Sequence, residues 1–198
     1  MNIGFDGMYA TNGSTANERY FRFVVEALAT DYPEHKWYVY TPKLTKKTRL
    51  DLIDELHNVE YRLPAASGFQ GSLWRAFGIT NCLQPDKVDL YHGLHGVLPL
   101  NIASAHVPTV VTIHEPDFEV DSKDMSWWRR TLALHRVGAA VRAATRVIAF
   151  SEDTKMQLNE RFDIDPAKVE LIDTVENVSD QLMKVYHKAI EVFNQQNR

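Results

Sequence analysis

The chain has 198 residues, 44% of them hydrophobic and 24% charged, which is room for one ordinary folded domain with an appendage. A net charge of −4 argues against a dominant attraction for nucleic acid, and no apolar run approaches the roughly 18 residues of a membrane span. The single cysteine, Cys82, excludes a disulfide framework, and Met1 to Asp6 lacks a secretory pattern, so a reducing cytoplasm is the expected setting.

Asn2–Asp6 reads as a short apolar strand, followed by a Gly/Asn/Ser/Thr loop from Tyr9 to Asn17. Arg19–Thr30 carries Tyr20, Phe23, Val24, Ala27 and Leu28 at helical spacing and stops before Pro33. Lys36–Tyr40 is an aromatic and β-branched strand, Thr45–His57 a charged amphipathic helix, and Val59–Leu63 a third strand ended by Pro64. Ser72–Leu83 forms a short helix around Leu73, Ala76, Phe77 and Ile79. Val88–His92 and Pro108–His114 are the fourth and fifth strands, Met125–Ala144 a long helix, and Arg146–Phe150 the sixth strand. Ser151 stands at the N-cap of a helix running to Phe162, and Lys168–Ile172 is the last strand. Glu176–Asn194 is amphipathic through Val178, Leu182, Val185, Tyr186 and Ile190, and is expected to pack back on the rest because an isolated helix of this length is marginal in water.

Short apolar strands alternating with amphipathic helices predict an α/β fold, a doubly wound and mostly parallel Rossmann-like sheet with helices on both faces. The expected strand order is 3-2-1-4-5-6-7, with residues 1–172 as the domain and 173–198 as its returning helix. Ligands in such sheets bind beyond the carboxyl ends of the strands. That crevice would be built by the loops after Asp6, His92, His114 and Phe150.

His92, His95, His114, Glu115 and Asp117 are the densest group of reactive side chains near it. Imidazoles at neighbouring strand ends, with carboxylates beside them, suit a polar binding or general-base site. A dinucleotide fingerprint is absent, since Gly13 stands alone between Asn12 and Ser14, so no nucleotide cofactor is expected. No metal is expected either, because His92 and His95 lie on a loop rather than one helix face. Cys82 reads as a half-buried thiol without a local partner. Trp127 and Trp128 with Arg129 and Arg130 could stack on a sugar or base, but read more simply as one Trp anchored inward beside two solvated arginines.

Three stretches together resemble the N-terminal, acceptor-side domain of the retaining family-four glycosyltransferases of GT-B fold. They are Asp89 to Pro99 (DLYHGLHGVLP), Val110 to His114 (VVTIH) and Arg146 to Lys155 (RVIAFSEDTK). The resemblance implies a two-domain ancestor in which the N-terminal half binds a sugar or glycan acceptor and the C-terminal half holds a nucleotide sugar. It implies that His92 and His114 face the cleft, with His114 and Glu115 at the chemistry. Gly13, Arg19, His92, His95, Asp117 and Ser151 would then be substrate-binding. The sequence departs from the family at Glu18, whose charge opposes phosphate at a helix N-terminus, and at Glu115, where an Asp is usual. It has roughly 150–200 residues fewer than a two-domain enzyme needs, while the last helix resembles the one that crosses back to the N-terminal domain. The expectation is a glycosyltransferase-like domain without sugar transfer on its own, served by a separate donor-domain chain or paired as a homodimer. Two alternatives stand beside it. One is an engineered or domain-deleted binding scaffold whose pocket has been rewritten around His92, His95, His114, Glu115 and Glu18. The other is a small hydrolase using His114 with Glu115 or Asp117.

Overall fold

A computed structural model describes residues 1–10, 15–42, 56–64, 70–114, 127–172 and 176–197. Seven strands form one all-parallel sheet: β1 Asn2–Asp6, β2 Lys36–Tyr40, β3 Val59–Arg62, β4 Leu90–Gly93, β5 Thr109–Thr112, β6 Arg146–Ala149 and β7 Val169–Leu171. Their order is β3-β2-β1-β4-β5-β6-β7, as the segment pattern predicts. The order reverses between β1 and β4, whose register sets Phe5 beside His92. The helices are α1 Ala16–Asp31, α2 Gln70–Leu73, α3 Thr80–Leu83, α4 Trp127–Ala143, α5 Glu152–Phe162 and α6 Val178–Gln196. The predicted helix at 45–57 falls largely outside the described residues.

Period-two side chains feed two separate cores. Trp37 and Val39 of β2 join Ile3, Phe5, Val110 and Ile148 under α1 and α6. Tyr38 and Tyr40 point the other way and join Tyr91, Val111 and Val147 under α3, α4 and α5. Parallel strands covered on both faces are apolar throughout, which is why β4 and β5 contain no exposed position.

Local chemistry sets the helix ends. Thr15 and Glu18 make a reciprocal capping box at α1: the Glu18 N–H donates to Thr15 Oγ1 at 3.3 Å and the Thr15 N–H to Glu18 Oε2 at 2.9 Å. The helix therefore begins three residues before the Arg19 start that the apolar periodicity predicts. At α5 the Thr154 N–H donates to Ser151 Oγ at 3.1 Å, the cap expected there. Between α2 and α3, residues Trp74–Gly78 form a π-turn, with the Ile79 N–H reaching back to the Trp74 carbonyl. Helix α6 packs on α1. Its Ser179 hydroxyl donates to Asp31 and its Asp180 carboxylate accepts from Tyr32 Oη at 2.6 Å.

Candidate functional site

The site grows from the carboxyl ends of β1, β4, β5 and β6. After β4 the chain turns sharply. Gly93 passes so close to the Val97 carbonyl that a Cβ would collide with it, and Gly96 has φ of 65°. The Gly96 N–H donates to the Thr112 carbonyl at 2.8 Å, tying this loop to the end of β5. The turn brings His95 over His114. The two rings stack at 5.2 Å between centroids and 19° between planes.

Aromatic rings close around them. Tyr9 meets His95 edge-on at 4.3 Å, Tyr20 meets His114 edge-on at 4.8 Å, and Phe150 lies 5.1 Å from His114. His114 is half-buried, and its Nε2 lies 3.0 Å from the Leu94 carbonyl. A carbonyl only accepts, so Nε2 carries the proton and Nδ1 is the accepting nitrogen of this tautomer. His95 is 7% exposed, and neither ring nitrogen has a hydrogen-bond partner among the described residues. Burial, and then the neighbouring His114, hold its pKa down to about 3, so the ring is neutral at physiological pH. Burial also raises the Tyr20 phenol above its ordinary value.

His92 differs from expectation. It does not face the cleft but is fully buried beneath it, with Nδ1 2.8 Å from Tyr186 Oη and Nε2 2.8 Å from Thr112 Oγ1. Burial, followed by His95 and His114, pushes its pKa down to about 3. A neutral imidazole there joins β4, β5 and α6 beneath the crevice. Its position at a strand end was visible in sequence. Its burial follows from Tyr186, 94 residues away.

Arg19 is exposed in the first turn of α1, at the crevice end. Ser151 is half-buried at the end of β6, its hydroxyl engaged in capping α5. Glu18 is buried in its capping box, which gives that carboxylate a structural task. The signal was present as Thr15-x-x-Glu18. Gly13, Glu115 and Asp117 lie outside the described residues. So do Glu119, Asp121 and Asp124, the carboxylates that follow them in sequence.

Arg75, in the π-turn, is a feature the sequence reading missed. Its guanidinium reaches both carboxylate oxygens of Asp6 at 3.1–3.3 Å. Asp6 is 4% exposed at the end of β1, and its Oδ1 also accepts from the Met8 N–H, shaping the turn that presents Tyr9. The available signal was a lone cation inside the apolar run from Leu73 to Ile79. Cys82 is half-buried, its thiol pKa raised first by burial and then by Asp86. Trp127 and Trp128 are both exposed, so the expectation of one inward anchor fails. Among the described residues no group of three His, Cys, Asp or Glu side chains converges as metal ligands. No helix among them is long and apolar enough to cross a membrane.

Residues 18–174 match the model of Glycosyltransferase Family 4. No curated protein matches the sequence. Among solved structures, a piece of sucrose-phosphate synthase from Thermosynechococcus elongatus, labelled 27–220 and 406–426, is similar at 12% identity and a TM-score of 0.58, covering 98% of this chain and 99% of that one. The apo lipopolysaccharide outer core galactosyltransferase WaaB is similar at 14% identity and 0.56, covering 87% of this chain and 45% of that one. HepE from Anabaena, in complex with UDP and glucose, is similar at 16% identity and 0.54, covering 87% and 44%. This chain thus spans less than half the length of those two proteins.

Proposed function

This chain belongs to glycosyltransferase family 4, and on that premise we propose that it is the acceptor-side domain of a GT-B-type sugar transferase. In this reading residues 1–172 form the domain and 173–198 the helix that returns to it. The match to the two-segment sucrose-phosphate synthase piece along nearly its whole length supports that division. The observation that carries the reading is the bowl of Tyr9, Tyr20, His95, His114 and Phe150 at the carboxyl edge of the sheet. Flat rings with polar edges suit a sugar, which offers apolar faces and a rim of hydroxyls.

In the transfer, the acceptor oxygen bonds the anomeric carbon as the bond to the departing diphosphate breaks, and the acceptor proton must leave. His114, with its Nε2–H tied to the Leu94 carbonyl, has Nδ1 to accept that proton or hold the reacting hydroxyl. Glu115 is its proposed partner, and His95, Arg19, Ser151, Gly13 and Asp117 the groups around the sugars. Stabilising the departing diphosphate is assigned to a donor-side half, so the 198 residues alone do not transfer sugar. A nucleotide sugar such as the UDP-hexoses fits the UDP and glucose held by HepE. The protein is proposed to act in the cytoplasm.

The test is sugar transfer from UDP- and GDP-hexoses to an acceptor panel, by the purified chain with and without separately supplied donor-side domains. No transfer alone, transfer on adding a donor half, and its loss in His114→Ala are expected. Turnover by the chain alone would sink the proposal, as would undiminished restored transfer in His114→Ala.

A further inference from the structure

The strands also have an amino edge, opposite the His114 crevice. There, where β5, β6 and β7 start at Thr109, Arg146 and Val169, the structure holds a cavity of about 600 Å³. Its walls come from the last turn of α4, the short turn Pro166–Lys168 before β7, and the last turns of α6. That volume is in the range of pockets that take a small organic molecule.

The lining is cationic in a chain whose net charge is −4. Arg142, Arg146 and Lys168 line it with one carboxylate, Asp165, whose Oδ1 already accepts the Ala167 N–H at 2.8 Å. The Arg146 side chain is only 13% exposed. Its Nη1 donates to the Ala167 carbonyl at 3.0 Å, but its Nε stands 3.6 Å from Glu170 and has no hydrogen-bond partner among the described residues. Glu170 is held more closely by Lys188, at 2.5 Å. Lys168 Nζ donates to the Arg142 carbonyl at 2.9 Å, which caps the end of α4 and uses one of the ammonium's three donors. Burial, and then the charge of Arg146, lower its pKa from the ordinary lysine value. Two like charges held together at a half-buried place are costly until an anion joins them. Beside them Ile102, Val107 and Phe193 supply apolar wall.

We propose that this amino-edge cavity binds a small phosphate monoester, with its phosphate on Arg146 and Lys168, Arg142 at the rim, and its organic group against Ile102, Val107 and Phe193. A phosphate monoester carries about 1.5 to 2 negative charges near pH 7, which matches the surplus of cations over Asp165. The guanidinium offers it paired donors and the ammonium a point charge. The site uses no crevice residue and requires no sugar transfer, so it succeeds or fails independently of the proposed function.

The experiment is isothermal titration calorimetry of the purified 198-residue chain with phenyl phosphate, inorganic phosphate and phenol. Phenyl phosphate is expected to bind about tenfold or more tighter than inorganic phosphate, and phenol not to bind. Lys168→Gln, which can still donate to the Arg142 carbonyl, and Arg146→Gln are each expected to weaken phenyl phosphate by about tenfold, while Arg19→Gln at the crevice leaves its affinity unchanged. Circular dichroism checks that the variants keep the fold, and Arg142→Gln, at an exposed residue, provides a milder third. Absence of phenyl phosphate binding overturns the proposal. So does equal affinity for inorganic phosphate, since the ligand is then a bare anion, or phenol binding as tightly as the ester. Binding lost in Arg19→Gln, or undiminished in folded Lys168→Gln and Arg146→Gln, overturns it too, because the phosphate then sits elsewhere.

Discussion

Replacing His95 by phenylalanine tests the site where its physical state is most unusual. In the folded chain the ring is buried, without hydrogen-bond partners, and holds its proton only near pH 3, whereas an unfolded histidine takes one up near 6.5. The unfolded state therefore binds more protons between those values. Stability is complete above pH 6.5 and falls as pH drops toward 3. Between pH 7 and pH 5 this one group removes about 2 kcal/mol, and the phenylalanine variant lacks that loss. At pH 7 the substitution deletes two unsatisfied buried nitrogens while keeping a ring between Tyr9 and His114, so it is expected to be neutral or stabilising by about 1 kcal/mol. The assay is urea unfolding of both chains at pH 7 and pH 5. With a slope of about 2 kcal/mol per molar, the variant midpoint at pH 5 should gain about 1 M on the parent beyond any gap at pH 7. Titrating groups that do not face His95 cancel in the difference, and His92, whose pKa burial lowers more than His95 does, cancels in the main. Parallel losses with pH in parent and variant would refute a neutral, buried His95. His95→Leu gives the same reading should the phenyl ring overfill the space.

Tyr186→Phe removes the hydroxyl that engages His92 Nδ1 and leaves that buried nitrogen without its partner. It is expected to destabilise the protein by about 1–3 kcal/mol in urea or thermal unfolding, and a loss well below 1 would show that α6 does not depend on this bond. Asp6→Ala strands the Arg75 guanidinium, whose side chain is only 14% exposed, and should cost about 3–5 kcal/mol. Adding Arg75→Met to that variant should recover much of the loss. If the double variant is no more stable than Asp6→Ala, the effect is not one of an unpaired buried charge.

The alternation of apolar strands with amphipathic helices was legible throughout because it depends on neighbours two to four residues apart. That local pattern was enough for the strands, the Ser151 cap and the apolar stripe of α6, and the topology of doubly wound folds supplied the parallel sheet and its strand order. It also located the crevice, since strand direction alone decides which edge of such a sheet gathers the loops. Only the tertiary structure decided what each polar group in that crevice does. His92 and His114 look alike in sequence, two strand-end imidazoles. One is sealed by Tyr186 from a helix 94 residues later, while the other stays half-buried in a bowl of rings. Arg75 finds Asp6 across 69 residues, and Trp128 stays in solvent because no described element covers it. Burial is a property of which distant segments converge, and no window of sequence contains that information.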